Sequence, residues 1–421
     1  MHLSSRRPTC LTFAVLLLAV LCLLNWPIYH NYVAGGFPPI MYFGITAGLA
    51  ITLLWSGFSD ISAITQSAFP RWAIFYFFSG LILIVLMGDL NKETGFWRST
   101  LSILVFFSWI ILFSAVNMFW IGRAFFIAAC VTTLTVWHDL LFPYFYLPQD
   151  SPLSNPGRGA GLFLNANMAA NAIIVTSIAA VAFIKKHNRI WIMPLLVFGV
   201  FPTLSRGGLT TAFMVALLIP LLGLTSNRKL LFRLAIAAPF VIVVIKTLLN
   251  RSIETASYET SNILGRINFV LGRNLALLED EGRYFYIFEA ISLWKKFPFF
   301  GAGIGITESP NKFWPYTQGT HNLYLKLLAE QGAIGLLVFL SFLGIIFWMG
   351  YRLYKNNTSI PLKDIGRALL LLGSYFTVVS FFSHNLMNDL PSLMALGSLV
   401  AAAGNLSHRP QTWPLVKKSA L

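Results

Sequence analysis

Long apolar stretches separated by short polar breaks run through almost the whole chain. A helix needs roughly 20 mostly apolar residues to cross a bilayer. By that measure the pattern predicts twelve spans, at 11–28, 37–56, 72–88, 99–117, 119–137, 167–184, 190–204, 208–225, 231–249, 332–351, 366–384 and 390–406. The stretch 190–204 is the weakest of them and reads as tilted, kinked or broken near Pro202. The first follows Arg6 and Arg7, as a signal peptide would. It runs on into Asn25-Trp26-Pro27 without a small-residue cleavage site, so it reads as a retained anchor. Two polar breaks are long: 138–161, rich in Pro and Gly, and about 250–331, where aromatic and charged residues interleave. The expected organisation is nine spans over 1–249, a long loop with amphipathic helices over 250–331, and three spans with a tail over 332–421. No internal repeat or low-complexity tract interrupts it.

Composition narrows the class. The chain is 57% hydrophobic and 11% charged, with a mean hydropathy of +0.71, whereas a soluble domain carries about a quarter charged residues. An all-α polytopic membrane protein follows, and soluble enzymes, disordered proteins and DNA-binding domains are excluded. Lys and Arg number 30 against 15 Asp and Glu, a formal +15. With twelve spans and the N-terminus inside, the inner segments hold 17 of the basic residues, among them Lys185, Lys186, Arg189, Arg228 and Lys229. They hold two acids, Asp60 and Asp364. The excess is therefore an orientation signal for N-in, C-in topology, and no nucleic-acid partner follows from it. Charges near the spans, such as Lys246 and Asp89, lie at helix ends. A proton-coupled transporter or voltage sensor would need them along its path. Cys10, Cys22 and Cys130 sit in or beside apolar segments and suggest neither a disulfide framework nor a metal cluster.

The unusual polar residues collect at the outer ends of the spans. Asn155-Pro156-Gly157-Arg158-Gly159-Ala160-Gly161, followed by Asn165, Asn167 and Asn171, leads into the sixth span. Glycine amides and a helix N-terminus suit an anion, and Arg158 would add charge; a flexible loop with one interfacial arginine is the plain alternative. Ser205-Arg206-Gly207-Gly208 keeps an arginine in a short outer turn, where the positive-inside rule disfavours one. Phosphate is its natural partner, and snorkelling to headgroups the alternative. Arg283 precedes Tyr284, Ile287, Phe288, Ile291 and Trp294 at helical spacing, which predicts an amphipathic surface helix. The glycines of 301–305 lack the βαβ context of a dinucleotide site and read as a tight turn beside a ligand. In Thr320-His321-Asn322-Leu323-Tyr324, Thr320 reads as an N-cap and His321 as the start of a helix. His321 is either a proton acceptor or a histidine satisfied at the interface. Glu330 reads as a structural or orienting partner. His384 and Asp389 lie in a short outer turn that could face His321, and an ordinary polar turn explains them more simply.

Together these segments resemble the O-antigen ligase (WaaL) family, within the wider O-antigen ligase and polymerase superfamily. The likeness rests on Arg158 with Asn165 and Asn167, Ser205-Arg206-Gly207-Gly208, Arg283 with Trp294, Pro298 and Gly301-Ala302-Gly303, and His321-Asn322 with Glu330-Gln331-Gly332. The resemblance implies a GT-C-like membrane fold of about twelve helices with a large helical periplasmic loop, in a Gram-negative inner membrane. It implies an inverting glycosyltransferase that needs no metal or other cofactor. The donor would be O-antigen on undecaprenyl diphosphate and the acceptor a lipid A–core hydroxyl. By position, His321 would be the base, Arg206 and Arg283 the diphosphate ligands, and Arg158 a less direct contributor. Asn165, Asn167, Tyr324, Glu330, His384 and Asp389 would be supporting residues. An O-antigen polymerase or a protein O-oligosaccharyltransferase of the same superfamily is the near alternative, and a lipid or polysaccharide transporter the distant one.

Overall fold

The computed structural model describes residues 9–58, 62–65, 67–87, 95–148, 151, 157–226, 283–316 and 319–408. Its elements are helical throughout: α1 (Thr9–Leu23), α2 (Trp26–Ala34), α3 (Pro39–Trp55), α4 (Ser62–Thr65), α5 (Phe69–Met87), α6 (Phe96–Ser114), α7 (Met118–Leu141), α8 (Ala166–Phe183), α9 (Ile192–Val200), α10 (Arg206–Leu221), α11 (Arg283–Lys296), α12 (Leu323–Asn356), α13 (Ile360–Val379) and α14 (Leu390–His408). Among the described residues, six helices are long and apolar enough to cross a membrane (α5, α6, α7, α8, α12 and α14), or seven if the bent pair α1–α2 is one span. That is the pattern of a multi-pass membrane protein. The expected span 231–249, the loop residues 250–282, Asp89 and Lys246 lie outside the described residues.

Alanine-rich α8 is the centre of the bundle. It is buried on all sides and packs against α7, α9, α10, α13 and α14. Small side chains let helix backbones approach closely, which is how apolar helices associate in lipid. Peripheral α5 instead turns Phe75, Phe78, Ile82 and Val85 outward. It is held to the bundle by the Trp72 indole, which donates to the Val338 carbonyl of α12 at 2.9 Å.

Several expected boundaries shift, each for a local reason. The span 11–28 is broken: Asn25 takes a left-handed conformation (φ 59°), and α1 and α2 meet at 62°. Pro27 at the start of α2 has no amide to donate back to α1, and the Asn25 side-chain amide donates to the Leu162 carbonyl at 3.1 Å. The span 190–204 is a short α9 flanked by 3-10 turns at Asn188–Trp191 and Phe201–Thr203, so the break falls at Pro202 as expected. The span 332–351 is the later part of α12, which starts at Leu323 and kinks at Gly332 (φ 62°, ψ −158°). The span 366–384 ends at Val379, leaving His384 in a turn.

At the end of the bundle away from His384, Arg189 in the Asn188–Trp191 turn is buried and its guanidinium is engaged. Its guanidinium donates to the Ile184 and Leu224 carbonyls, each at 2.8 Å, and pairs with Asp364 of α13 at 2.8 Å. Arg367 closes the other oxygen of Asp364 at 3.0 Å.

Candidate active site

Four helices begin at the opposite end of the bundle, and their N-terminal caps organise the candidate residues. Asn165 caps α8 by accepting from the Asn167 amide at 2.9 Å. Ser205 caps α10 by accepting from the Gly208 amide at 3.1 Å. Asn322 caps α12 by accepting from the Leu325 amide at 3.1 Å, and Asp389 accepts from the Ser392 amide at 3.1 Å at the start of α14. Each N-terminus carries a partial positive charge, so this end of the molecule favours an anion before any arginine is counted.

The loop before α8 is pinned in place. Gly159 donates its amide to the Pro202 carbonyl at 2.9 Å. The Ala160 and Gly161 amides, expected to be open to a ligand, donate to the carboxylate of Asp139 at 2.7 and 2.9 Å. The anion in this nest is thus the protein's own, from the end of α7. Arg158 reaches across the loop: Nε donates to the Thr203 carbonyl at 3.0 Å and a terminal nitrogen to the Asn167 side chain at 2.7 Å. It ties the α8 cap to the turn that presents Arg206.

Arg206 is the first residue of α10. Beside it, Gly207 lies directly against Phe382, whose Cβ would be 2.7 Å from a Cβ added there. Two residues further along that turn, the His384 ring packs edge-on against the His321 ring, with centroids 5.3 Å apart and planes at 69°. The 380–389 turn therefore joins the Arg206 and His321 segments. His384 is in a cationic neighbourhood: burial, then Lys326, His321 and Arg98, push it from 6.5 to about 3, so the ring is neutral. Asp389 is buried and pushed up to about 6 by that burial, against the hydrogen bonds from Ser392.

His321 does not begin the helix. Asn322 is the cap, and Thr320 donates its hydroxyl to the Asn322 carbonyl at 2.9 Å. His321 stands before the cap with φ 51°, in the left-handed region that histidine tolerates better than most residues. Its segment is sewn to the end of α13: Leu323 donates its amide to the Ser380 carbonyl at 2.8 Å, and the Tyr324 hydroxyl donates to the Thr377 carbonyl at 2.8 Å.

The glycine turn after α11 packs on the α12 kink, backbone to backbone. Ala302 and Gly303 donate to the Ala329 and Glu330 carbonyls at 2.8 and 3.1 Å. Glu330 is buried and accepts from the amide and hydroxyl of Thr307. Nearby, Lys326 pairs with Glu308, and Arg98 lies 3.9 Å from the other Glu308 oxygen. This charged cluster, like Asp139, escapes a reading by motif, because its members come from separate segments. Its signal in the chain is Lys326 four residues before Glu330, on one face of α12.

Arg283 opens α11, and its side chain, like that of Tyr284, lies outside the described residues. The face of α11 turned to the protein is Tyr286, Ala290, Leu293 and Phe297, against Ala302, Ile306, Trp314 and Ala329. The apolar set expected to lie on the membrane surface is half-buried at Ile287, Ile291 and Trp294 and exposed at Phe288. Thus His321, His384, Arg206, Arg158, Asn165, Asn167 and Asp389 meet at one end of the bundle. Among the described residues no group of three His, Cys, Asp or Glu side chains could hold a metal ion.

A family model described as O-antigen ligase matches residues 191–340, the stretch from the turn before α9 into α12. No curated protein matches the chain.

Proposed function

We propose, from the match of residues 191–340 to the O-antigen ligase family model, that the chain is a member of the O-antigen ligase superfamily and transfers a polysaccharide from a lipid diphosphate to a lipid A–core hydroxyl. Members of this family are membrane glycosyltransferase-like enzymes. The donor would be O-antigen on undecaprenyl diphosphate, and the site would face the periplasm of a Gram-negative inner membrane, with both termini cytoplasmic. The observation that carries the reading is the shared turn: His321 packs on His384 while Gly207, next to Arg206, packs on Phe382. The segments that carry His321 and Arg206 thus pack on one short turn, at an end of the bundle where helix N-termini gather.

The reaction is a single displacement. The neutral His321 imidazole takes the proton of the acceptor hydroxyl. The hydroxyl oxygen bonds to the anomeric carbon from the face opposite the diphosphate. The bond from that carbon to the diphosphate oxygen breaks, its electron pair stays on the leaving group, and the configuration inverts. Arg206 and Arg283 neutralise the growing charge, and Arg158 holds the α8 cap and the Arg206 turn in register. The imidazolium then releases its proton to water. Guanidinium groups do the neutralising in this scheme, and the donor arrives already activated.

The test is transfer by purified protein from lipid-linked polysaccharide to a core lipid, to a protein, or to no added acceptor, with a chelator present. Product on the core lipid is expected. Lengthened donor would favour a polymerase, product on protein an oligosaccharyltransferase, and loss on chelation would overturn the metal-free scheme. Arg206→Ala is expected to lower kcat/KM for the donor by about 10²-fold. Arg206→Lys should recover only part of it, because an ammonium lacks the planar fork. Unchanged donor dependence in both would count against diphosphate binding.

A further inference from the structure

We propose that His384 is a positioning residue for His321: its ring edge holds the His321 imidazole in the orientation that accepts the acceptor proton. The proposal rests on the reading of His321 as the base.

Three observations carry it. First, His321 lies outside α12 at a left-handed backbone position, so the helix does not set its rotamer, and the His384 ring lies edge-on against it, 5.3 Å between centroids. Second, that contact is enforced from both sides. Leu323 and Tyr324 bond to the end of α13, and Gly319 lies against His384, whose Nε2 is 3.5 Å from where a Cβ would be. Third, the His384 Nδ1 is buried without a hydrogen-bond partner among the described residues. An orphaned polar atom is costly, and leucine would fill the space without that cost, so apolar packing alone does not account for an aromatic ring here.

The charged surroundings fit a neutral ring in this place. Lys326 and Glu330 come from α12, Glu308 from the loop after α11, Arg98 from α6, and His321 faces the ring directly. Lys326 and Arg98 oppose a proton on His384, while Glu308 is engaged by Lys326. A neutral His384 adds no positive charge beside His321.

The experiment compares wild type, His384→Ala, His384→Leu and His384→Phe as full-length purified proteins, with His321→Ala as reference. It measures kcat, donor KM, the pH profile and the melting temperature. His384→Ala and His384→Leu are expected to lose about tenfold or more in kcat with donor KM within twofold of wild type, and to shift the acid limb of the profile. His384→Phe, which keeps an aromatic edge and removes the orphaned nitrogen, is expected within about threefold of wild type in kcat, with an unshifted acid limb and an equal or higher melting temperature. If His384→Ala does not fold, His384→Leu fills the cavity and carries the comparison. Wild-type kcat in His384→Leu, or a His384→Phe protein as slow as His384→Leu, would overturn the proposal. Turnover by His321→Ala would instead overturn the base assignment, so the two failures are distinguishable.

Discussion

His321→Ala is expected to lower kcat by about 10²–10⁴-fold, the range a positioned general base contributes, while membrane insertion and folding persist. The expectation follows from its place: His321 is half-exposed, stands before the α12 cap, and contributes nothing to the helix ladder. A second variant separates chemistry from backbone strain. The φ of 51° at this position disfavours alanine by about 1–2 kcal/mol, whereas asparagine visits that region readily. His321→Asn should therefore melt like wild type and be as inactive as His321→Ala. Ligation near the wild-type rate by a well-folded His321→Asn protein would remove the base from the scheme.

The largest effect on stability is expected at Gly301. Its φ is 72°, and an added Cβ would lie 2.3 Å from the Gln331 nitrogen and from the Glu330 carbonyl carbon, both backbone atoms that cannot swing away. Gly332 faces it with the same constraint, 2.4 Å from the Phe299 backbone. Left-handed strain of about 1–2 kcal/mol and overpacking of about 1–3 kcal/mol put Gly301→Ala at roughly 2–5 kcal/mol of destabilisation. The damage would spread to the bonds from Ala302 and Gly303 to the α12 kink, and so to the segment bearing His321. Gly344→Ala, in open space on α12, is the control and should be neutral or slightly stabilising. Thermal unfolding in detergent reads both, and equal melting temperatures would refute the packing argument.

The helical framework was legible in the sequence because lipid leaves few alternatives: backbone groups must pair within a helix, so apolar length marks most of the described helices. The break at Asn25 was not legible, since it depends on an acceptor, the Leu162 carbonyl, far along the chain. At the site, histidine and the arginines stood out by type and position. What failed was local detail. Thr320 and Asn322 are both good caps, and the hydrogen bond from Leu325 decides for Asn322. The glycine amides before α8 looked open until Asp139 was seen to fill them. The face of α11 that packs on the protein was not legible, because Tyr286 and Ala290 are unremarkable by hydropathy and matter only once Trp314 folds beside them.

The buried pairing of Arg189 with Asp364 bears on the order of assembly. A chain is made from its N-terminus, so Arg189 and its two carbonyl partners exist long before Asp364 does. Until α13 arrives, the guanidinium has no counter-ion, and burying it then would cost several kcal/mol. Burial of Arg189 between α8, α9 and α10 is therefore offset only once α13 supplies its carboxylate, so this ion pair couples an early part of the chain to a late one.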